Sequence, residues 1–504
     1  MKRYHVVTFG CQMNQHDSDR IRDVLEGSGY VPSEGMENAD LILLNTCSVR
    51  EKAEQKLRSE VGRIGVLKRT RPSLVLAVAG CVAQQEGERL LRGLPQIDIV
   101  IGPDQAAALP RLLAEVEQGG LPQVRTEFDL NEPRFLPATL RGRAKVSDFV
   151  TIMKGCDERC TFCVVPTTRG PERYRASDEI IAEVAGRVAA GTREITLLGQ
   201  TVDSYQDPLG LLPGSELHDE FSATRMGRVR GDETEFPSLL RALAERVPGL
   251  QRLRYTSPHP RHLTSALVAA HRELGVLARH VHMPMQSGSD RVLRRMARRY
   301  TVAEYRERVG ALQRAVPGLT LSSDIIVGFP GETREDFALT LELVREMGFV
   351  SIFGFKYSPR PFTPALKLGD DITEQEKSER LAQLFELSEG QRAAHLARLV
   401  NSTQQVLVEG TGERGGYTGR TERNEIVHLQ AAHDVTGQLV EVTIVEAFKH
   451  SLRGSPTDPT LQQAGSTTSA DPTSAEPAAA SGAPATDPRP AAHRASPRSL
   501  PLLH

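Results

Sequence analysis

Six cysteines carry the chemistry of this 504-residue chain. Cys156, Cys160 and Cys163 form a tight C-x3-C-x2-C within KGCDERCTFCVVP, residues 154–166. Three thiolates so close together bind one metal centre from one side. Structural zinc sites take four protein ligands, usually as two close pairs. Here there are three, and the loop holds no histidine. Iron–sulfur clusters are held by cysteines in such short runs. Three ligands on a four-iron cluster leave one iron open to a reactant, as catalytic metal sites keep an open position. The spacing favours the cluster over zinc.

Cys11, Cys47 and Cys81 are spread out, 36 and 34 residues apart. Each follows an apolar run of strand length: residues 4–9, 41–45 and 74–79. In a parallel sheet the carboxyl ends of strands lie side by side and form the ligand crevice. Three residues distant in sequence then converge. The alternative is three buried structural cysteines, because free Cys is often buried. Three at equivalent positions favour a second cluster.

The elements that must position these residues read as α/β. Up to residue 140, short apolar runs alternate with amphipathic helical stretches, the pattern of a doubly wound parallel sheet. A linker rich in Pro, Arg and Gly follows at 131–145. Residues 146–375 repeat the alternation on a larger scale. Strand candidates at 149–154, 194–198, 252–256, 281–285, 320–327 and 352–356 fit a partial (β/α) barrel. An insertion at 206–235 interrupts it. Residues 376–402 read as a charged helical connector. Residues 403–453 switch to short β patterns that suit a small OB-like β-barrel. Residues 455–504, rich in Pro, Ala, Ser and Thr, cannot bury enough apolar surface to offset ordering entropy, so a disordered tail is expected.

With Lys+Arg 62 against Asp+Glu 64, the chain is no wholesale basic nucleic-acid binder, although local basic patches are allowed. No stretch approaches the ~20 apolar residues of a membrane helix. The first residues show no signal-peptide pattern. No membrane contact and a cytoplasmic location are the expectation, and six cysteines are too few for a disulfide scaffold.

The triplet with Phe162 before its last cysteine resembles the radical S-adenosylmethionine signature. The wider chain, residues 1–450, is similar to the methylthiotransferase family of radical enzymes. The resemblance rests on TFGCQMNQHDSDR (8–20), NTCSVREKAEQK (45–56) and GCVAQQEGE (80–88) for the N-terminal domain. In the barrel it rests on LLGQ (197–200), HMPMQSGSDRVLRRM (282–296), SSDIIVGFPGET (322–333) and FKYSPRPFTPA (355–365). The C-terminal module resembles a TRAM domain, an RNA-binding β-barrel. The flanks SVREKAEQK and VAQQEGE are similar to the tRNA branch, whose members place a methylthio group on C2 of N6-(dimethylallyl)adenosine at position 37. The sequence departs from the family's usual wording at Thr167, at Thr201 and Asp203, and at His262.

The resemblance implies two [4Fe-4S] clusters, with S-adenosylmethionine as radical source and as methyl donor. Cys156, Cys160 and Cys163 would hold the radical cluster, and Cys11, Cys47 and Cys81 the sulfur-donating one. Phe162, Gly199, Gln200, Gln286, Ser287, Gly288, Asp324, Gly328 and Pro330 are the expected cofactor contacts. In GRTERN, Arg420, Arg423 and Asn424 are the expected RNA contacts. The arginine run at 291, 294, 295, 298 and 299 reads as a solvated face or a tRNA contact. His259, His262, His280 and His282 read as structural or pocket residues. Expected partners are the tRNA anticodon stem-loop and a reductant such as flavodoxin or ferredoxin, with the chain a monomer. Two alternatives stand beside this reading. One is methylthiolation of threonylcarbamoyl-adenosine or of a ribosomal-protein aspartate. The other is an RNA-binding protein with structural metal and no turnover.

Overall fold

The computed structural model describes residues 1–48, 51–130, 135, 145–212, 234–412 and 415–462, without the side chains of 51–54. Most of the linker at 131–144, the centre of the insertion at 213–233 and the tail from 463 onward lie outside the described residues.

The N-terminal sheet contains β1 (Arg3–Thr8), β2 (Val31–Pro32), β3 (Leu41–Thr46), β4 (Val75–Gly80), β5 (Ile99–Ile101) and β6 (Gln123–Arg125). All pairs are parallel, in the order β2-β1-β3-β4-β5-β6. Side chains on a strand alternate between faces. Ile42, Leu44, Leu76 and Val78 pack against Leu57, Val61 and Ile64 of the helix Glu51–Thr70. Leu41, Leu43, Val75 and Ala77 meet Ile21, Leu25, Leu109 and Leu112 on the other face. Burial on both faces explains why β3 and β4 read as unbroken apolar runs. The strand order reverses between β1 and β3, and ligands of open α/β sheets bind at such a switch point.

The second layer holds β7 (Ser147–Thr151), β8 (Met153–Lys154), β9 (Arg173–Tyr174), β10 (Glu194–Leu198), β11 (Arg252–Tyr255), β12 (His280–His282), β13 (Thr320–Val327) and β14 (Ser351–Lys356). β7, β10 and β11 form one parallel sheet; β12, β13 and β14 form another. The halves meet where Leu253 N donates to Val276 O at 2.8 Å. This makes a six-stranded partial barrel with one continuous core. The motif SSDIIVGFPGET ends on Thr333, which caps the helix Arg334–Met347 in a capping box with Asp336.

The helix Glu374–Leu399 leads to β15 (Thr403–Thr411), β16 (Tyr417–Thr421), β17 (Ile426–Leu429), β18 (Leu439–Ala447) and β19 (Leu452–Pro456). They close a barrel in the order β15-β16-β17-β19-β18 around Val406, Val408, Val427, Val442 and Ile444.

The expected strand at 149–154 is two strands, β7 and β8, because β8 leaves the barrel to pair antiparallel with β9. The folded chain also runs past residue 453. Pairing with β18 extends β19 to Pro456, and a turn follows over Pro459–Leu461. The base of the insertion is pinned: Ser177 Oγ donates to Asp207 at 2.6 Å, and Glu235 accepts from the Asp207 backbone. Among the described residues, no helix is long and apolar enough to cross a membrane.

Candidate functional site

Cys156, Cys160 and Cys163 lie in the loop between β8 and the helix Val165–Arg169. Gly155 makes the turn possible. Its φ is +81°, and a Cβ there would overlap the Pro171 carbonyl. Gln200, at the end of β10, accepts from Gly155 N at 2.6 Å. Thr161 anchors the loop from the other side: its backbone N donates to Met296 O and its hydroxyl to Arg295 O, both at 2.9 Å. Phe162 packs edge-on to Phe329, with ring centroids 6.5 Å apart.

Two side chains touch the thiols directly, and the Val165 backbone N donates to Cys163 Sγ at 3.4 Å. Thr201 Oγ1 lies 3.0 Å from Cys156 Sγ, and Arg298 Nη1 donates to Cys160 Sγ at 3.2 Å. Burial pushes the Cys163 thiol up to about 12, with Cys160 adding to the shift. Burial, then the nearby Glu172, pushes Cys156 well above the ordinary thiol range. Bound iron would reverse both shifts, because a coordinating thiol gives up its proton to the cation's field.

The second triplet gathers at the switch point. Cys11 caps the helix Gln12–Gly27; Cys47 follows β3 directly; Cys81 opens the helix Cys81–Glu86. Two glycines set this close approach. A Cβ on Gly10 (φ +134°) would overlap the Cys47 side chain, and one on Gly80 (φ +94°) the Asn45 side chain. Fully buried Asn14 braces the site, accepting from Cys11 Sγ at 3.2 Å and donating to Thr46 O at 3.1 Å. The Cys11 thiol is held down at about 6, chiefly by its hydrogen bond with Cys47, against the opposing effect of burial. Burial raises Cys81, and Arg169 opposes it.

Arg169 joins the two triplets. It sits at the end of the helix that follows Cys163, and that helix packs against Cys81–Glu86. Five residues lie between Cys163 and Arg169. The buried guanidinium pairs with Asp17 at 2.6 Å, and its charge favours the thiolates of Cys81 and Cys11. Lys154 bonds Asp104 at 3.1 Å, and Arg173 pairs with the same carboxylate, so charged bridges line this seam.

Among the described residues, no three His, Cys, Asp or Glu side chains converge to hold a single metal ion. Both triplets are all-thiol sets, the donor type that iron–sulfur clusters take. Gln200 Nε2 is buried with no hydrogen-bond partner. It sits beside Cys156 and is available to a ligand. His259, His262, His280 and His282 meet protein partners. The His259 backbone donates to Asp203 at 2.9 Å, His262 faces Glu158, and His280 and His282 share Ser322.

The other expected cofactor residues divide. Gly199 lies against Met153 and Val202, where a side chain would not fit. Gln286, with φ +68°, and Asp324 are joined by a backbone bond of 2.8 Å, and Asp324 faces His282 at 3.4 Å. Ser287 and Gly288 turn to Thr340, Gly328 packs on Lys377, and the Pro330 carbonyl accepts from Arg295. For these four the contacts are with the protein's own residues, three of them hydrogen bonds.

The expected RNA contacts are engaged elsewhere. Arg423 Nε donates to Gly318 O at 2.8 Å and Nη1 to Gln404 at 3.1 Å. Arg420 meets Glu409 at 3.3 Å and donates to Asn424 at 3.2 Å. The Arg420 and Thr421 carbonyls accept from Arg252 and Arg254. GRTERN thus docks the small barrel on the larger one. Its polar groups meet polar groups at the strand starts, which the charge pattern alone does not distinguish from a free surface. The arginine run divides as well. Arg291 pairs with Asp336, Arg299 with Glu158, and Arg298 turns inward to Cys160. The sequence reading did not single out Arg169, and it took Arg298 for part of a solvated face or a tRNA contact, although each lies within six residues of a recognised motif.

Three family models match: an uncharacterized protein family, UPF0004, over residues 3–102, the Radical SAM superfamily over 150–344, and the TRAM domain over 397–457. The chain is 61% identical to a tRNA-2-methylthio-N(6)-dimethylallyladenosine synthase of Sorangium cellulosum, covering 91% of this chain and 94% of that one. Proteins of the same description are 43% identical in Bordetella petrii (91% and 92% covered) and 45% identical in Acidithiobacillus ferrooxidans (90% and 97%). Among solved structures, a radical S-adenosylmethionine methyltransferase of Kitasatospora setae, TsrM, matches with a TM-score of 0.50 at 14% identity. The match covers 72% of this chain and 75% of that one and speaks to the fold alone.

Proposed function

The chain belongs to the family of tRNA-2-methylthio-N6-dimethylallyladenosine synthases, and from that premise we propose that it methylthiolates C2 of N6-(dimethylallyl)adenosine at position 37 of tRNA. It is a radical S-adenosylmethionine enzyme. When bound, a [4Fe-4S] cluster with S-adenosylmethionine supplies the radical chemistry that removes hydrogen from an aromatic C–H, and a second cluster supplies sulfur methylated beforehand. The observation that carries this reading is that the helix following the first triplet ends on Arg169 and packs against the helix that Cys81 of the second triplet opens.

Cys156, Cys160 and Cys163 hold the radical cluster. Thr201 and Arg298 hydrogen-bond two of its sulfurs, and such bonds tune a cluster's potential. Gln200 offers its unpaired amide to the methionyl end of the bound ligand. Cys11, Cys47 and Cys81 hold the second cluster at the sheet's switch point. Arg169 offsets the negative charge of its thiolates. Closing the N-terminal domain over the barrel positions both reactants and excludes water from the reaction. The TRAM module contributes RNA affinity from the surface that docking leaves free. A flavodoxin or ferredoxin delivers electrons, and the chain works in the cytoplasm as a monomer.

Mass spectrometry of tRNA nucleosides from a strain lacking the gene tests this. The expected result is loss of 2-methylthio-N6-dimethylallyladenosine, accumulation of its unthiolated precursor, and recovery on complementation. Loss of the threonylcarbamoyl derivative, or of a methylthio group on a ribosomal protein, would overturn the substrate assignment.

A further inference from the structure

Phe362 lies in the loop after β14, at the carboxyl end of the barrel strands. That loop is stitched to the cysteine loop, because Ala365 N donates to Thr161 O at 2.9 Å. Its neighbours Tyr357 and Ala365 are buried with Phe329, and Phe162 packs against them. Phe362 is not buried: 54% of it is exposed. Its backbone is also left-handed, with φ +66°. A bulky residue there is a true outlier, and such outliers persist where the surroundings impose them, often at ligand sites. Glycine would take this conformation without strain. The ring gains little from burial to offset the strain, so packing does not account for it.

A second observation points to a ligand. The Arg89 guanidinium carbon lies 5.8 Å from the Phe362 ring centroid. Arg89 belongs to the helix Glu88–Gly93 of the N-terminal domain. The ring therefore stands at the seam between the two domains, with a cation beside it. Exposed aromatic faces and arginine planes are the surfaces on which unpaired RNA bases stack.

We propose that Phe362, backed by Arg89, is a stacking surface for an unpaired base of the RNA loop brought to the barrel mouth. The inference rests on the proposed tRNA substrate and adds a recognition residue to it. The left-handed backbone holds the ring outward before RNA arrives, so less ordering is needed on binding.

The test uses the full, anaerobically reconstituted chain and a fluorescein-labelled anticodon stem-loop carrying N6-dimethylallyladenosine at position 37, at fixed ionic strength. Phe362→Gly is expected to raise the melting temperature, by relieving strain, while weakening RNA binding about 5- to 150-fold. Phe362→Trp is expected to keep wild-type affinity. A purely structural ring would give the opposite pattern for glycine: a lower melting temperature with affinity within twofold. That result would overturn the proposal. So would unchanged RNA affinity together with a rate defect seen with flavodoxin but not with dithionite, which would assign the ring to the reductant. A wild-type chain that neither binds nor modifies the stem-loop would refute the tRNA reading itself. A wild-type chain that does both, beside a Phe362→Gly variant that binds equally well, would refute only the role of Phe362.

Discussion

The six thiols sit in unlike surroundings, and those differences come from residues far away in sequence. Cysteine type and spacing made the candidate ligands legible, because three thiols in one loop have few other uses. Arg298 was not legible. It is one of five arginines in nine residues, and charge patterning cannot tell which one folds back on a sulfur. The departures from family wording are informative at Asp203. That side chain is fully buried and accepts both bonds from the His259 backbone N at 2.9 Å. Burial raises its carboxyl to about 7, with His262 opposing. An unfolded Asp titrates near 3.9, so the folded state binds this proton more tightly. Its stabilising contribution is complete below pH ~4 and is lost as pH rises through ~7. Between pH 5 and pH 8 the metal-free wild type should lose about 3 kcal/mol relative to Asp203→Asn. Denaturant unfolding at the two pH values measures it. Equal pH slopes for the two proteins would refute the account.

At the scale of elements, the strand ends do the positioning. Alternating apolar runs announced β3 and β4. The two-residue β2 and three-residue β6 were not visible, because edge strands so short carry no period. The convergence of Cys11, Cys47 and Cys81 followed from strand-end logic, but the role of the glycines needed coordinates. Gly80 combines a left-handed φ with the Thr46 carbonyl 2.5 Å from where a Cβ would sit. Gly80→Ala should therefore cost at least about 1–3 kcal/mol in strain. It should also lower iron from about eight to about four per chain by emptying the N-terminal site alone. Iron and sulfide analysis with a thermal melt checks both effects. Full iron with an unchanged melt would mean the turn tolerates a side chain. The GRTERN turn carries the converse lesson. Its residue types suit phosphate contacts, yet tertiary contacts with Gly318, Arg252 and Arg254 claim it for docking.

For the whole molecule, the order of modules was legible from shifts in hydrophobic period, whereas the seam between the first two was not. Asp17, Asp104, Lys154, Arg169 and Arg173 pair across that seam, and no spacing in the sequence marks them as partners. Buried pairs of this kind fix geometry more than they add stability. Here they hold the helix Val165–Arg169 between two sets of thiols. In the proposed reaction the two sets of thiols have separate work. Reconstituted wild type, Cys47→Ala and Cys156→Ala would each be given S-adenosylmethionine, dithionite and the dimethylallyl-modified stem-loop, and the products read by mass spectrometry. Wild type should yield the 2-methylthio nucleoside and 5′-deoxyadenosine, Cys47→Ala 5′-deoxyadenosine alone, and Cys156→Ala neither. A methylthio product from Cys47→Ala, or 5′-deoxyadenosine from Cys156→Ala, would contradict the account.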